Sequence, residues 1–416
     1  MLSLLKCTSI SEKIFTDTKT LEESRFKPQY FTRIRALPFQ SVIKCLLSLN
    51  KGDTQTNLDN FFTLEGKENS VSQQAFSKAR SKFDCSPFKK AFSAIVKAAY
   101  DEEQLPSLKR FHDKFLIAID GSILALPNIP ALHHSFGTIG KAPAARISMA
   151  LDVLNDLVMD ADIDKIEYGE REFALDHINH VEGLINLKDV IFLLDRGYPS
   201  WQLINWLSYK QSYFVMRVKN KFNNEFDALG IGSHIIEEPP DHERWRVRII
   251  KLELDSGEIE TLITNLFDLD EVEFKDLYFK RWSIETKYDV VKNKLELPNF
   301  TGFTRNVICQ DFWISMYMLN IAAIAKYESD TLVQNERSEK NNKYQYQTNV
   351  NHMIGVLRGR FAKAVFFETE ERKIKIIRDI LQKIKRTVVP TNRDASKVER
   401  RNGRNAKFHH NKKHNL

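Results

Sequence analysis

The sequence contains few cysteines and no long apolar run, and both absences narrow the class of protein. There are four cysteines in 416 residues, far apart and with no CxxC pair: Cys7, Cys45, Cys85 and Cys309. They predict reduced thiols in a cytoplasmic protein and neither a disulfide framework nor a zinc site. No run of 18 apolar residues predicts a membrane span, and the N-terminal residues lack the cleavage site of an export signal.

Excess positive charge is also absent from most of the chain. The formal net charge is +7, and residues 396–416 hold seven Lys or Arg against one acid, so the other 395 residues carry a balance of only +1. This segment has too few apolar residues to fold alone. Its composition is typical of basic arms that bind phosphate backbones. A tail that only keeps the protein in solution has the same composition.

The length of the chain and its pattern of apolar segments predict an α/β protein of about two or three domains. From residue 114 onward, five apolar strands alternate with helices, which favours a mixed sheet with flanking helices. Residues 219–267 break this rhythm with alternating polar and apolar residues around a Ser-Gly turn, which indicates a β-rich insertion. The predicted boundaries are a helical N-terminal region (1–108), a catalytic domain (109–325), a helical C-terminal region (326–390) and a basic tail (391–416).

The N-terminal region contains a candidate DNA-binding helix. In "NSVSQQAFSKARSKF" (69–83) the apolar residues form a stripe that leaves Lys78 and Arg80 facing outward. Short polar and basic side chains on a presented helix suit groove or phosphate contacts. An ordinary solvated helix face would show the same pattern.

Two apolar strands are each followed by an acid and a glycine. "FLIAIDG" places Asp120 at the end of one strand, and "VIFLLDRG" places Asp195 at the end of another. In open α/β sheets, ligands bind beyond the carboxyl ends of the strands, so these two acids could share a site. Asp-Gly and Asp-Arg-Gly are also common turn openers.

The segment "YFKRWSIETKYDVVK" contains the third candidate acid. On one α-helix, Tyr278, Arg281, Glu285 and Lys292 would lie within roughly a 60° arc along about 21 Å. This row of side chains suits a long anionic ligand such as a nucleic-acid backbone. If one phosphodiester of that backbone is cleaved, Arg281 and Lys292 would contact the phosphates on either side of it, with Tyr278 packing beside them.

The carboxylate within this basic row indicates a metal site. Three carboxylates converging to about 4 Å repel by roughly 4 kcal/mol per pair at an effective dielectric near 20. Divalent cations remove that repulsion, and oxygen-only ligands favour Mg²⁺ or Mn²⁺ over zinc. Two such ions are the usual clamp for phosphodiester chemistry. We therefore expect Asp120, Asp195 and Glu285 to be both catalytic and metal-binding.

The strand-end aspartates and the Y-x2-R-x3-E-x6-K series resemble the DDE transposases of bacterial insertion sequences, in particular the group with the Tyr-Arg-Glu-Lys signature. The likeness runs from about residue 110 to 325, and "SQQAFSKARSKF" is similar to that group's DNA-binding region. The resemblance implies a ribonuclease-H-like fold with a β insertion, magnesium, and a homodimer bridging the terminal inverted repeats of the element.

The same resemblance suggests two further DNA contacts and a cellular location. Some members of the group cut the second strand through a DNA hairpin, with a Trp of the insertion holding a flipped base, and Trp245 is the candidate here. Arg217, which ends the fifth strand, is a second candidate for contact with DNA. A structural aromatic and a salt-bridged arginine are the respective alternatives. The protein would act on double-stranded DNA in the bacterial nucleoid.

The function that we predict is cut-and-paste transposition: metal-dependent DNA cleavage at the element ends, then strand transfer into target DNA. A nuclease of the same fold that only hydrolyses DNA is one alternative. A domesticated DNA-binding protein without catalysis is another, and the presence of Asp120, Asp195 and Glu285 argues against it.

Overall fold

The computed structural model describes residues 2–33, 36–48, 53–67, 69–237, 246–254, 256–337, 344–366 and 369–391. The chain divides into two compact units. The first unit consists of Met1–Arg33 and Arg80–Ile324, and the second consists of Ile34–Ala79 and Ala325–Leu416.

The secondary structure alternates between helices and strands through most of the chain. The α-helices are α1 (Leu4–Thr16), α2 (Thr18–Ser24), α3 (Phe39–Ser48), α4 (Thr54–Leu64), α5 (Gln73–Arg80), α6 (Ser86–Ala99), α7 (Pro130–Phe136), α8 (Glu170–Glu182), α9 (Trp201–Tyr209), α10 (Asn224–Ala228), α11 (Glu273–Phe279), α12 (Trp282–Asp289), α13 (Arg305–Arg337), α14 (Val350–Val365) and α15 (Glu370–Lys385). The strands are β1 (Phe115–Ala125), β2 (Thr138–Ile139), β3 (Ala142–Asp152), β4 (Leu157–Lys165), β5 (Val190–Leu194), β6 (Tyr213–Arg217), β7 (Gly232–Glu237), β8 (Arg246–Glu253), β9 (Ile259–Thr264), β10 (Tyr346–Thr348) and β11 (Val388–Pro390).

The first unit is built on one mixed sheet of nine strands. The order is β2-β3-β1-β5-β6-β9-β8-β7, and β4 also pairs with β3. The pairs β1–β5 and β5–β6 are parallel, whereas β3 is antiparallel to both β1 and β4. The predicted α/β class with a mixed sheet is therefore confirmed.

The centre of this sheet is apolar on both faces. Every residue of β5 is buried, as are the first five residues of β1, from Phe115 to Ile119. Parallel strands covered by helices on both sides have this continuous apolar composition. Ile119 is the register partner of Leu194, so the next residues along the two strands, Asp120 and Asp195, lie at the same level of the sheet.

The region predicted as a β-rich insertion contributes strands to the same sheet. β9 pairs antiparallel with β6, and β8 and β7 follow it outward. Arg248 on β8 fixes the chain that leaves β9, since its guanidinium donates to the carbonyls of Leu266, Phe267 and Leu269. That chain leads directly into α11, which carries the first residue of the predicted signature.

The second unit joins two distant parts of the sequence. Helix α3 contacts α14, α14 packs on α15, and β10 pairs with β11. Helix α15 buries Ile377, Ile380 and Ile384 along one side, as its helical spacing requires. Residues 34–79 of the predicted N-terminal region thus lie in one unit with residues that follow position 325. The basic tail at 396–416 lies outside the described residues.

Helix α13 is long and apolar enough to cross a membrane when judged by length and composition alone. Its most apolar 18-residue window is 78% buried inside the protein, however. Asn320 on this helix bonds to the backbone of Val158, accepting from its N–H at 2.9 Å and donating to its carbonyl at 2.8 Å. This is the packing of a core helix.

Candidate active site

Asp120 lies on β1 just beyond its pairing with β5, where pairing with β3 continues. The prediction that β1 ends at Asp120 is wrong, because the strand runs on to Ala125. The antiparallel partner β3 supplies hydrogen bonds beyond the position at which the parallel partner β5 stops. Asp195 immediately follows β5, as predicted from the apolar run before it.

The stretch from Tyr278 to Lys292 is not one continuous helix, so the prediction of a single helical row is wrong. Helix α11 ends at Phe279, α12 begins at Trp282, and the segment Val290–Lys294 is a π-helix. Tyr278 and Lys292 nevertheless contact residues of the strand ends, Asp195 and Ser122, and Arg281 lies between Asp195 and Glu285.

Arg281 connects the candidate carboxylates. Its Nη2 atom donates to Glu285 Oε1 at 2.8 Å and lies 4.0 Å from Asp195 Oδ2. Burial lowers the pKa of Arg281, but the opposing effects of Tyr278, Asp195, Glu285 and Asp120 outweigh it and leave the pKa raised. One guanidinium therefore interacts with all three predicted acids.

The remaining signature residues contact positions beside the two aspartates. Tyr278 Oη donates to Asp195 Oδ1 at 3.2 Å, and burial followed by the charge of Asp195 raises the pKa of Tyr278. Lys292 Nζ donates to Ser122 Oγ at 2.7 Å and to the Ile123 carbonyl at 3.0 Å. Burial lowers the pKa of Lys292, which Asp120 partly offsets.

Asp120 is in a strongly perturbed electrostatic environment. Burial raises its pKa to about 6, with Arg281 and the Gly121 N–H acting in the opposite direction and Asp195 and Glu170 adding to the rise. Its backbone carbonyl accepts hydrogen bonds from Tyr288 Oη at 2.7 Å and Ser148 Oγ at 3.1 Å. A rigid backbone thus holds a carboxylate that is unfavourable in its charged form.

The site has the right ligand chemistry for a hard divalent cation. Among the residues that the structure describes, no three His, Cys, Asp or Glu side chains are close enough together to hold a metal ion. The donors at the site are carboxylate oxygens, which Mg²⁺ and Mn²⁺ prefer. The Arg281 guanidinium supplies positive charge between Asp195 and Glu285, and its buried Nε has no hydrogen-bond partner within the described part of the chain. Shared coordination of one ion by all three acids stays a prediction.

Sequence reasoning missed several residues at this edge of the sheet. One of them is Glu170, which raises the pKa of the neighbouring Asp120, as the predicted Asp195 also does. Tyr198, which is 1% exposed, lies near the same acids. The repeated glycine after the two aspartates was the available signal, but it also fits a turn. Tyr288 was present in the signature segment without a predicted role.

Arg80 does not face outward, so that prediction is wrong. Its side chain is 2% exposed, and it donates to Gln310 Oε1 at 2.6 Å and to Asp311 Oδ1 at 2.5 Å. Arg80 is the last residue of α5 and lies on the same side of the helix as the buried Phe76 and Ala79. Lys78, two residues earlier, is exposed, and a DNA contact by Lys78 stays a prediction.

The two other predicted DNA contacts have different outcomes. Arg217 forms salt bridges with Glu260 at 2.7 Å and Glu258 at 3.4 Å, the alternative that the sequence left open, and its side chain is 15% exposed. Its contact with DNA stays a prediction. Trp245 lies outside the described residues.

Comparisons with known proteins identify a family, a related sequence and a similar fold. Residues 114–321 match the transposase DDE domain family. The transposase InsG for insertion sequence element IS4 of Escherichia coli (strain K12) is 21% identical over 317 residues, which cover 70% of each chain. A cryo-EM structure of the piggyBac transposase synaptic complex with hairpin DNA has a similar fold, with a TM-score of 0.53 and 12% identity over 96% of this chain and 88% of that chain.

Proposed function

Because this chain belongs to the DDE transposase family, we propose that Asp120, Asp195 and Glu285 are its catalytic carboxylates. A DDE transposase is an enzyme that depends on divalent metal, acts on DNA, and carries out cleavage and strand transfer in cut-and-paste transposition. Residues 114–321, which match the family, include all three acids.

The observation that carries the assignment is the shared guanidinium. Asp195 and Glu285 each have an oxygen within 4.0 Å of the same Nη2 atom of Arg281, and Asp120 contributes to the raised pKa of that arginine. Acids from two neighbouring strands and one helix therefore converge around a single cation. An ordinary surface helix would leave Glu285 without a shared partner at the strand ends.

The metal would be held by these three acids. We propose Mg²⁺, replaceable by Mn²⁺, and two ions, which when bound would activate the attacking oxygen and stabilise the leaving one. Before binding, Arg281 offsets part of the negative charge, while Tyr278 holds Asp195 in place through its hydroxyl. Tyr288 and Ser148 fix the Asp120 backbone, so that the carboxylate does not have to be reoriented.

Two basic residues of the signature are placed to contact DNA phosphates. Lys292 lies beside Ser122, two residues after Asp120, and Arg281 lies beside Asp195. We assign them to the phosphates that flank the scissile one, with Tyr278 beside them, and this assignment places the protein in the Tyr-Arg-Glu-Lys group. Lys78 and Arg217 are weaker candidates for DNA contact, and Trp245 is the candidate for capturing a flipped base in a hairpin step.

The fold supports the same assignment. The strand order β4-β3-β1-β5-β6, with β3 antiparallel to β1 and the last three strands parallel, corresponds to a ribonuclease-H-like sheet. We propose this fold for residues 109–325, with the DNA-binding N-terminal region at 1–108, the C-terminal helices at 326–390 and the basic tail from 391. A homodimer bridging two inverted repeats in the nucleoid completes the proposal.

The test is cleavage and joining of DNA that carries the inverted repeats flanking the gene, with a target plasmid and Mg²⁺. Asp120→Asn, Asp195→Asn and Glu285→Gln are each expected to lower cleavage at least about 100-fold, because each removes charge from the reacting centre. Asp289→Asn is the matched control, since Asp289 lies on the same helix as Glu285 but accepts from Asn293.

Two outcomes would contradict the proposal. Full metal-dependent cleavage by all three acid variants would remove these residues from catalysis. Cleavage by the wild-type protein without any joined product would favour the nuclease that only hydrolyses DNA.

A further inference from the structure

A fourth carboxylate, Glu170, lies against the two strands that carry Asp120 and Asp195. It occupies the first turn of α8, and its Oε1 accepts a hydrogen bond from Arg146 Nη1 at 2.7 Å. Arg146 stands on β3 opposite Ile123 of β1, and its Nε also donates to the Ile166 carbonyl at 3.3 Å. The guanidinium is thus fixed at two points and holds one oxygen of Glu170.

Two glycines make room for this side chain. A Cβ atom added at Gly197 would lie 2.8 Å from Glu170 Oε2, and one added at Gly121 would lie 3.2 Å from its Cγ. Neither glycine has a positive φ, so the backbone conformation does not require glycine at either position. The glycines that follow Asp120 and Asp195 are therefore explained by the close approach of Glu170.

An unpaired buried hydroxyl lies among the same carboxylates. Tyr198 directly follows Gly197 and is 1% exposed, and within the described part of the chain its Oη has no hydrogen-bond partner. Burial raises its pKa, and the charges of Asp120, Glu170 and Asp195 raise it further. A buried polar group without a partner is unfavourable, which indicates that a polar ligand completes this site.

We propose that Glu170 is a fourth carboxylate of the catalytic site and that, together with Tyr198, it binds the water ligands of a hydrated divalent cation held by Asp120 and Asp195. The inference rests on the proposed function. Mg²⁺ gives up its water reluctantly and usually keeps several water molecules. Those waters need acceptors, and a carboxylate with one oxygen fixed by Arg146 is a rigid acceptor.

The first test measures Mn²⁺ binding to the full chain by isothermal titration calorimetry, in the absence of DNA. Glu170→Gln is expected to raise the dissociation constant for Mn²⁺ by about 10-fold or more, the usual effect of losing a partner in the second coordination shell. Glu172→Gln, the same change two residues later on an exposed part of α8, should bind as the wild type does. Equal affinity of Glu170→Gln and wild type would overturn the inference.

The second test reaches Glu170 without changing any charge. In Gly197→Ala the new methyl group must displace Glu170 Oε2, which is the mobile end of its side chain. This variant should weaken Mn²⁺ binding in the wild-type background and have no further effect in a Glu170→Ala background. The same loss in both backgrounds would show that Gly197 acts independently of Glu170 and would overturn the inference. Unchanged Mn²⁺ binding by Gly197→Ala alone would also overturn it, and this measurement needs no substitution at Glu170.

Asp120→Asn separates this inference from the proposed function. If Asp120→Asn loses Mn²⁺ binding while Glu170→Gln keeps it, the catalytic site stands and the fourth carboxylate is rejected. If Asp120→Asn binds Mn²⁺ as the wild type does, the cation lies elsewhere and both assignments are overturned.

Discussion

Arg80 and Arg281 lie in two regions of the first unit and are equally buried, each 2% exposed. Arg80 stands at the end of α5 and donates to a buried amide, Gln310, and to Asp311, whose side chain is 14% exposed. Its Nη2 also donates to the Val307 carbonyl at 3.3 Å. These partners lie at the start of α13, and Arg80 Nη1 also donates to Thr301 Oγ1 just before that helix, so this arginine serves packing.

Arg281 has the opposite surroundings. The side chains of its partners Asp195 and Glu285 are 35% and 42% exposed, and among the residues that the structure describes its own Nε has no hydrogen-bond partner. The interaction is with carboxylates that solvent and ligands can reach. Two equally buried arginines therefore differ in their hydrogen bonding. Arg80 is bonded to buried neighbours, whereas Arg281 contacts solvent-accessible carboxylates, and it is Arg281 that lies at the candidate site.

The largest expected effect is on stability and distinguishes the two arginines. Arg80→Met should lower the free energy of unfolding by about 3–5 kcal/mol, because it removes the cation from the largely buried Asp311 carboxylate and one donor from the buried amide of Gln310. Arg281→Met should cost only about 1–2 kcal/mol, since Asp195 and Glu285 are exposed enough to be hydrated. Urea unfolding measures both, and equal losses would break the comparison.

For the rate of DNA cleavage, the substitution at Arg281 should have a larger effect than the substitution at Arg80. Arg281→Met is expected to reduce DNA cleavage at least about 100-fold while the protein remains folded. Arg80→Met should cleave in proportion to the fraction that is folded at the assay temperature. Cleavage by folded Arg281→Met at the wild-type rate would remove this residue from the reaction.

A smaller effect concerns the pH dependence of stability. Burial raises the pKa of Asp120 from 3.8 to about 6, so between these values the folded protein binds more protons than the unfolded chain. The free energy of unfolding therefore falls as pH rises through this window. Without metal, Asp120→Asn should be more stable than wild type by about 1–2 kcal/mol at pH 8, after allowance for solvent screening.

The same variant should lose this advantage at pH 3.5, below both pKa values, where Asp120 is largely protonated in the folded and the unfolded protein. Asp289→Asn serves as the control, because it replaces an exposed carboxylate on α12. An advantage of Asp120→Asn that is equal at both pH values would contradict the assigned cause.

The smallest expected effect concerns Lys78, the exposed neighbour of Arg80 on α5. Lys78→Ala should weaken DNA binding for all sequences alike and reduce the slope of log K against log salt by about 1. Fluorescence anisotropy at several salt concentrations measures this slope. An unchanged slope would show that this face of α5 does not contact phosphate.

Residue types and their spacing were enough to propose three acids for the site, and their catalytic role stays a prediction. Asp120 and Asp195 follow apolar runs that only buried strands explain, and Glu285 stands at a fixed distance from Tyr278 and Arg281. The strands before the aspartates formed where the apolar runs predicted them, because a parallel strand buried on both faces tolerates little else. The end of β1 was misplaced, since pairing with β3 continues beyond Asp120.

Residues brought in from elsewhere in the chain could not be predicted in the same way. Glu170 reaches the site from α8. In the sequence, only the glycines at positions 121 and 197 pointed to its close approach, and glycine is also common in turns. Arg80 was predicted to face outward, yet it lies four residues after the buried Phe76 and next to the buried Ala79, on the buried side of α5. Its partner Gln310 is 230 positions away in the chain, so the sequence around α5 could not reveal this contact.

The sequence by itself determined the residue types and their spacing: three acids with basic and aromatic neighbours, in a series that resembles the signature of DDE transposases. Only the tertiary structure decided which side chains meet. It divided the signature among three helical segments, gathered the acids around Arg281, and placed Glu170 against Gly121 and Gly197. The physical reason is that spacing along the chain fixes local direction, whereas contact between distant residues depends on how the packed elements fill space.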